Sequence, residues 1–174
     1  MYQVLLVVGC LIYFPAFAQS VTALSQTVNQ RLAMMKDVAG YKAAQHLPVE
    51  DLAQEAKVLL SAQAEANKLG LEPDSVRPFI IAQMEAAKAI QYRYRADWLA
   101  QPEIGWQLRP LTEVRLQIAK LSSEILQQLA QRLESGPITA EERGAFVKEL
   151  NQLNLSEGDK QHLFNALLLV KPKH

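Results

Sequence analysis

The chain has 174 residues, 49% of them hydrophobic, and its 18 lysines and arginines balance 18 acidic residues at pH 7. This balance argues against broad electrostatic binding to nucleic acid or to anionic membranes, because both require an excess of positive charge. With one cysteine in the whole chain, no disulfide framework and no cysteine-based metal site are expected.

The N-terminal segment carries no charged side chain and has an apolar run over residues 4–14, followed by Ala16, Phe17 and Ala18. This pattern is typical of a secretory signal peptide, cut here after Ala18, which would place the mature protein in the periplasm or outside the cell. The run is shorter than the roughly 20 residues of a membrane span, although an uncleaved anchor is the alternative because no lysine or arginine follows Met1. Cleavage would remove Cys10 and leave residues 19–174 as one thiol-free domain.

The first half of that domain shows helical periodicity. Apolar residues recur every three or four positions over residues 21–45, which predicts one helix with a buried face and with Gly40 as a soft point. Pro48 ends this helix, and the acidic residues after it predict a second helix that runs to about Leu69 and stops at Gly70.

A third helix is predicted to begin with Asp74 as its N-cap and to run through Trp98. That start places Pro78 at the fourth helical position, where the backbone N–H has no intrahelical partner. Two prolines and a glycine in residues 99–110 then predict a loop, and the apolar stripe after it predicts a fourth helix over residues 111–134.

Two capping boxes mark the last helices. Thr139 with Glu142 predicts the start of a fifth helix, and Ser156 with Asp159 predicts the start of a sixth. The sequence shows no strand alternation, so we predict an all-α, single-domain bundle of about six helices.

The common catalytic signatures are missing from the sequence. It has no G-x-S-x-G, H-E-x-x-H, Walker or G-x-G-x-x-G motif, and His46, His162 and His174 are scattered without metal spacing. We interpret these histidines as surface or helix-end residues and predict no metal site. The segment Tyr92–Arg95 mixes aromatic and basic residues but is too short for a nucleic-acid platform, so it predicts a solvated face.

Cations on otherwise apolar helix faces are the remaining chemical signal. Arg31 and Lys42 are eleven residues apart, nearly a whole number of helical turns, so both are predicted on one face with their Cα atoms about 16 Å apart. Two long side chains that lean toward each other would leave a gap for a small dianion. The alternative is that each is a solvated residue beside an apolar stripe.

Longer segments carry a family likeness. Residues 30–59 and 79–98 resemble the secreted, all-helical AroQ-class chorismate mutases of the gamma subclass, and a fainter likeness continues over residues 111–126. The most specific parts are R-L followed eleven residues on by Y-K, the L-P-V-E-D turn and A-A-K-A-I-Q-Y. The resemblance implies an isomerase that converts chorismate to prephenate without cofactor or covalent intermediate, usually as a homodimer with each site inside one chain, and without a nucleic-acid or membrane partner.

The same resemblance assigns roles to individual residues. Arg31 and Arg115 match the arginines that bind the two substrate carboxylates. Lys42 matches a lysine that contacts a carboxylate and the ether oxygen, and Gln91 matches the second donor to that oxygen. Glu55 matches an acidic residue that accepts the hydrogen bond of the substrate's ring hydroxyl.

Other matches are weaker or depart from the family. Asp51 matches a polar residue near the ring hydroxyl. Gln54 stands where many relatives have an arginine, so one cation of the usual set is missing, with Lys57 as a candidate substitute. Ala87 replaces a small hydroxyl residue one turn before Gln91. A mutase homologue that binds without turnover and a secreted helical interaction module are therefore the alternatives to an active enzyme.

Overall fold

The computed structural model describes residues 20–173; the proposed signal peptide, with Cys10, and His174 lie outside the described residues. The all-α prediction is confirmed, because the described chain folds into α-helices and its only extended pairing is one isolated bridge between Leu71 and Pro172. The elements in chain order are α1 Val21–Ala33, α2 Met35–Ala44, α3 Leu52–Lys68, α4 Pro73–Ala100, α5 Leu111–Leu133, a 3-10 turn Ala140–Glu142, α6 Arg143–Glu149 and α7 Glu157–Leu167.

The first predicted helix is divided in two at a single residue. α1 and α2 are separated only by Met34, whose backbone stays in the right-handed helical region at φ −68° and ψ −12°. The Val38 N–H still donates to the Met34 carbonyl at 3.2 Å, so the helical path is barely interrupted. Counted as one helix, α1 and α2 bring the described chain to the six helices that the sequence predicts.

The loop between α4 and α5 is anchored on α2 through an aromatic side chain. The Trp106 and Trp98 rings pack in a tilted arrangement with their centroids 5.7 Å apart, and the Lys36 ammonium lies 5.8 Å from the Trp106 ring centroid. Gly40 makes room for this ring, because a Cβ at Gly40 would lie 1.8 Å from it. Gly40 therefore lies inside α2 as a packing position, and the helix continues through it.

The start of α4 differs from the prediction. Glu72, not Asp74, is the N-cap, and its carboxylate accepts from the backbone N–H groups of Asp74 and Ser75. Pro73 occupies the first helical turn, where its fixed φ favours a helix start, so the helix begins earlier than expected. Pro78 consequently lies inside α4.

Three other predicted helix boundaries, at Gly70, Thr139 and Ser156, are confirmed. α3 ends before Gly70, whose φ of 77° is the left-handed conformation that stops a helix. Glu142 accepts from the Thr139 N–H at 2.9 Å, and Asp159 accepts from the Ser156 N–H at 2.8 Å. These reciprocal caps start the last two helical segments where the sequence placed them.

α4 is the central element of the bundle and packs against α2, α3 and α7, while α1 packs against α5 and α6. The core is apolar, with Phe79, Phe146 and Phe164 fully buried. Within residues 20–173, no helix is both long and apolar enough to cross a bilayer. Six polar or charged side chains of the described residues are nevertheless buried: Ser25, Thr27, Arg31, Lys42, Gln83 and Gln91.

Candidate active site

Four of those buried polar side chains line one cavity of about 430 Å³. Its wall is built by α1 to α5 and includes all seven residues that the resemblance singled out, namely Arg31, Lys42, Asp51, Gln54, Glu55, Gln91 and Arg115. Apolar side chains form much of the remaining wall, including Met35, Val38, Val49, Val58, Ile80, Met84 and Ile118. A cavity of this size, mostly apolar with a few polar groups, suits a small molecule.

Arg31 is a buried cation without an acidic partner. Its side chain is 6% exposed, and its Nε donates to the Ser122 hydroxyl at 3.1 Å. Its Nη1 is buried and has no hydrogen-bond partner among the described residues. Burial lowers the pKa of the guanidinium to about 10. A buried charge in this state is costly unless an anion meets it, so the geometry suits a carboxylate ligand.

Lys42 is buried to the same degree, at 7% exposed, and its Nζ donates to the Val49 carbonyl at 2.6 Å. Burial is the main cause that lowers its pKa, and the negative charge of Asp51 acts in the opposite direction. An ammonium has three donors, so the bond to Val49 leaves two for a ligand. The hydrogen bond to the Val49 carbonyl thus orients the ammonium without neutralising its charge.

Gln91 contributes a buried amide, 5% exposed, on the α4 side of the cavity. Its Nε2 donates to the Ala87 carbonyl at 3.1 Å and approaches the Met35 sulfur at 3.6 Å, while its Oε1 has no partner within residues 20–173. To donate to a ligand, the amide has to turn about its last torsion. Because the oxygen has no partner among the described residues, such a turn breaks no hydrogen bond of that oxygen.

Asp51, Glu55 and Arg115 are the acidic and basic residues at the more exposed edge of the cavity, and they are paired. Arg115 Nη2 lies 3.2 Å from Asp51 Oδ2, and Asp51 Oδ1 accepts from the Gln54 N–H at 3.1 Å as the N-cap of α3. Glu55 Oε2 accepts from Lys88 Nζ at 3.0 Å. Asp51 therefore has a structural task as well as a place in the cavity wall.

Gln83 and Lys88 are among the polar wall residues that were not identified from the sequence. Gln83 is buried two helical turns before Gln91, and Lys88 is half-buried one turn before it, so all three share the cavity face of α4. Their helical spacing from Gln91 was the sequence signal that could have identified them. Using that signal required knowing which face of α4 lines the cavity. Lys57, the candidate substitute cation, also lines the cavity but is exposed.

The charge of the wall is positive overall. Five cationic side chains and three acidic ones line the cavity: Arg31, Lys42, Lys57, Lys88 and Arg115, against Asp51, Glu55 and Glu65. An excess of two positive charges in a half-enclosed site concentrates and orients a dianion.

Neither His46 nor His162 lines this cavity. His46 follows α2 with a φ of 54°, and His162 is exposed beside Glu85, as expected for helix-end and surface residues. Among residues 20–173, no group of three or more histidine, cysteine, aspartate or glutamate side chains is placed to hold a metal ion.

The fold is a helical bundle around a cavity with an excess of positive charge, and comparisons with known proteins identify its family. The sequence profile of the chorismate mutase type II family matches residues 22–92. A secreted chorismate mutase from Yersinia pestis is 46% identical over 97% of this chain and 95% of that protein. A monofunctional chorismate mutase from Enterobacter agglomerans is 45% identical over 89% of this chain and 86% of that protein.

The structural comparison agrees. The crystal structure of the secreted chorismate mutase from Yersinia pestis matches this fold with a TM-score of 0.81 and 48% identity, over 86% of this chain and 97% of that one. The chain belongs to the chorismate mutase type II family. The family expected from the sequence is therefore confirmed.

Proposed function

We propose that this protein catalyses the rearrangement of chorismate to prephenate in the cavity lined by α1 to α5. The observation that carries the proposal is the pair of buried cations, Arg31 and Lys42, whose free donors line one cavity. Chorismate is a small dianion, and its rearrangement is intramolecular. An enzyme for this reaction needs a positively charged cavity of fixed shape.

Conformational restriction is the first contribution of the protein. The substrate reacts only in a compact conformer in which its side chain folds over the ring, and a flexible dianion in water spends little time there. The Arg31 guanidinium binds one carboxylate through its planar fork, and Arg115 binds the other at the cavity edge. The apolar wall then excludes water and keeps the two reacting carbons in contact.

Electrostatic stabilisation is the second contribution. As the ether C–O bond breaks and the new C–C bond forms, electron density gathers on the ether oxygen. Lys42 and Gln91 act as donors to that oxygen, with Lys42 supplying the charge and Gln91 a neutral hydrogen bond after its amide turns. We assign these two as the catalytic residues, and the reaction requires no cofactor.

The remaining wall residues bind and orient. Glu55 accepts the hydrogen bond of the ring hydroxyl, and Asp51 lies near it while it caps α3. Gln54 is a neutral wall residue in place of the arginine of many relatives. We expect the lost charge-assisted hydrogen bond to weaken substrate binding by about 1.5–3 kcal/mol if no other cation compensates.

We further propose that residues 1–18 are a signal peptide, that residues 19–174 form the exported mutase domain, and that this domain is a homodimer. The N-terminal sequence pattern supports export, as does the relative described as a secreted chorismate mutase. Expression of the full chain, intact mass of the exported product and light scattering test these points. A product that starts at Gln19 and has twice the chain mass is expected.

The decisive experiment follows chorismate itself. The exported protein is incubated with chorismate, the ultraviolet absorbance of chorismate is followed, and prephenate is identified by its acid conversion to phenylpyruvate. We expect rapid turnover, abolished in Lys42→Ala and retained in Lys36→Ala, a surface lysine paired with Glu103. A folded sample that leaves chorismate unchanged would overturn the proposal. Calorimetric titration would then separate a binding homologue from an interaction module, because only the former takes up chorismate.

A further inference from the structure

Lys88 is a cavity cation for which the proposed mechanism has no use. It extends from α4 to α3, where its Nζ lies 3.0 Å from Glu55 Oε2, and the two side chains are 27% and 23% exposed. Both residues line the cavity. The pair is thus part of the wall that faces the substrate and is more enclosed than the Arg115–Asp51 pair.

The need for this cation follows from Glu55. A carboxylate in the wall of a site that takes up a dianion repels its own ligand, and the repulsion grows as water is excluded. The Glu55 charge also extends into the site, since it acts on the pKa of Lys42. Unless a cation neutralises it, the acceptor for the ring hydroxyl weakens the binding of both carboxylates.

We propose that Lys88 is a positioning residue for substrate binding, which neutralises Glu55 and holds its carboxylate in place so that a dianion can bind beside it. The inference rests on the proposed function, with Glu55 as the acceptor for the ring hydroxyl. Lys88 acts through Glu55 and does not contact the reacting atoms. Its loss therefore raises KM and leaves kcat nearly unchanged.

A double-mutant cycle on the purified protein tests this role, with chorismate as the probe. Lys88→Met leaves a half-buried, unpaired carboxylate, and we expect KM to rise about 10-fold or more with kcat within about threefold. Adding Glu55→Gln removes the charge that Lys88 neutralises. The double variant should therefore recover a KM within about threefold of the Glu55→Gln single variant.

The matched control is an ion pair of the same type outside the cavity. Lys36 and Glu103 form a half-exposed pair at 2.5 Å. Lys36→Met, Glu103→Gln and their combination should leave KM unchanged, whatever they do to the melting temperature. Lys88→Arg keeps the charge and should keep a KM within about threefold of wild type.

Two results would overturn the inference. A double variant with a higher KM than either single variant would show that Lys88 binds the substrate itself. A Lys88→Met protein with a lower melting temperature and an unchanged KM would show that the pair only joins α3 to α4. If Lys88→Met does not fold, Lys88→Gln with and without Glu55→Gln carries the same comparison, because glutamine keeps a hydrogen bond to Glu55. Inactivity of the wild type would instead contradict the proposed function.

Discussion

The buried and the exposed parts of the cavity wall use charge in opposite ways. The buried wall, made by Arg31, Lys42 and Gln91, has donors and acceptors without partners and no acidic neighbour in direct contact. The rim, made by Asp51, Glu55 and Arg115, consists of ion pairs and a helix cap. The unpartnered groups of the buried wall lower the folding stability, whereas the groups of the rim largely satisfy one another's charges and hydrogen bonds.

This contrast separates residues that a ligand must complete from residues that already serve the fold. Buried polar groups without partners are uncommon in folded proteins and require an explanation. Here two of the four such atoms in the described chain, Arg31 Nη1 and Gln91 Oε1, belong to residues of one cavity. The contacts of the rim are explained by their contribution to folding stability, so we expect its residues to contribute less to catalysis.

The largest expected effect is loss of activity from the buried wall. Lys42→Ala and Arg31→Ala should each lower kcat/KM by about 100-fold or more, because each removes a preorganised donor in a water-poor site. Circular dichroism should show unchanged helix content. Equal loss of helix content in both variants would mean that these cations are structural, and the contrast between wall and rim would fail.

Removing the charge of Arg31 while keeping its volume should make the fold more stable. Burial lowers the pKa of folded Arg31 to about 10, below that of arginine in the unfolded chain, so the cost of burying its charge is fully present at neutral pH and is relieved above pH 10. Arg31→Met should therefore raise the free energy of unfolding by about 1–3 kcal/mol at pH 7, measured by urea denaturation. A clear decrease would show that the bond to Ser122 outweighs the buried charge.

The rim should respond more weakly. Arg115→Ala should raise KM about 10-fold with little change in kcat, because the residue is exposed and its charge is screened. Steady-state kinetics in low and moderate salt checks this, and the KM difference between variant and wild type should shrink as salt is added. If Arg115→Ala lowered kcat/KM as much as Arg31→Ala does, Arg115 would act like a residue of the buried wall.

The smallest effect should come from pH. Gln91 donates a hydrogen bond without titrating, so kcat/KM should vary by less than about threefold between about pH 5 and 8. Burial lowers the pKa of Lys42 below 10.5, so activity should fall at alkaline pH as the ammonium loses its proton. A pH-rate profile tests both statements. A steep rise toward acid would show that a carboxyl group, such as that of Glu55, must be protonated.

Local signals predicted most of the fold. Helix ends at Gly70, Thr139 and Ser156 follow from backbone and capping chemistry within a few residues. The predicted start of α4 was wrong because both Glu72 and Asp74 precede a helical run, and the position of Pro73 decides which of them is the N-cap. Sequence reasoning prefers aspartate as a cap, whereas the longer glutamate bridges two N–H groups here.

The candidate site was predictable only in part. Arg31 and Lys42 stood out as cations on an apolar face, and the family resemblance added the rest of the set. Gln83 and Lys88 escaped notice because their role depends on how α4 is rotated against α3, which is a property of packing and not of sequence spacing.

The packing of Trp106 against Gly40 determines what the intrinsic tryptophan fluorescence of this protein measures. The chain has two tryptophans, Trp98 on α4 and Trp106 in the following loop, which pack against each other next to Tyr94, and neither of them lines the cavity. Intrinsic fluorescence therefore monitors how the loop over residues 101–110 packs against α2 and α4. A change in emission on adding chorismate would signal motion at this contact between the loop and the helices that carry Lys42 and Gln91, and not direct contact between ligand and indole.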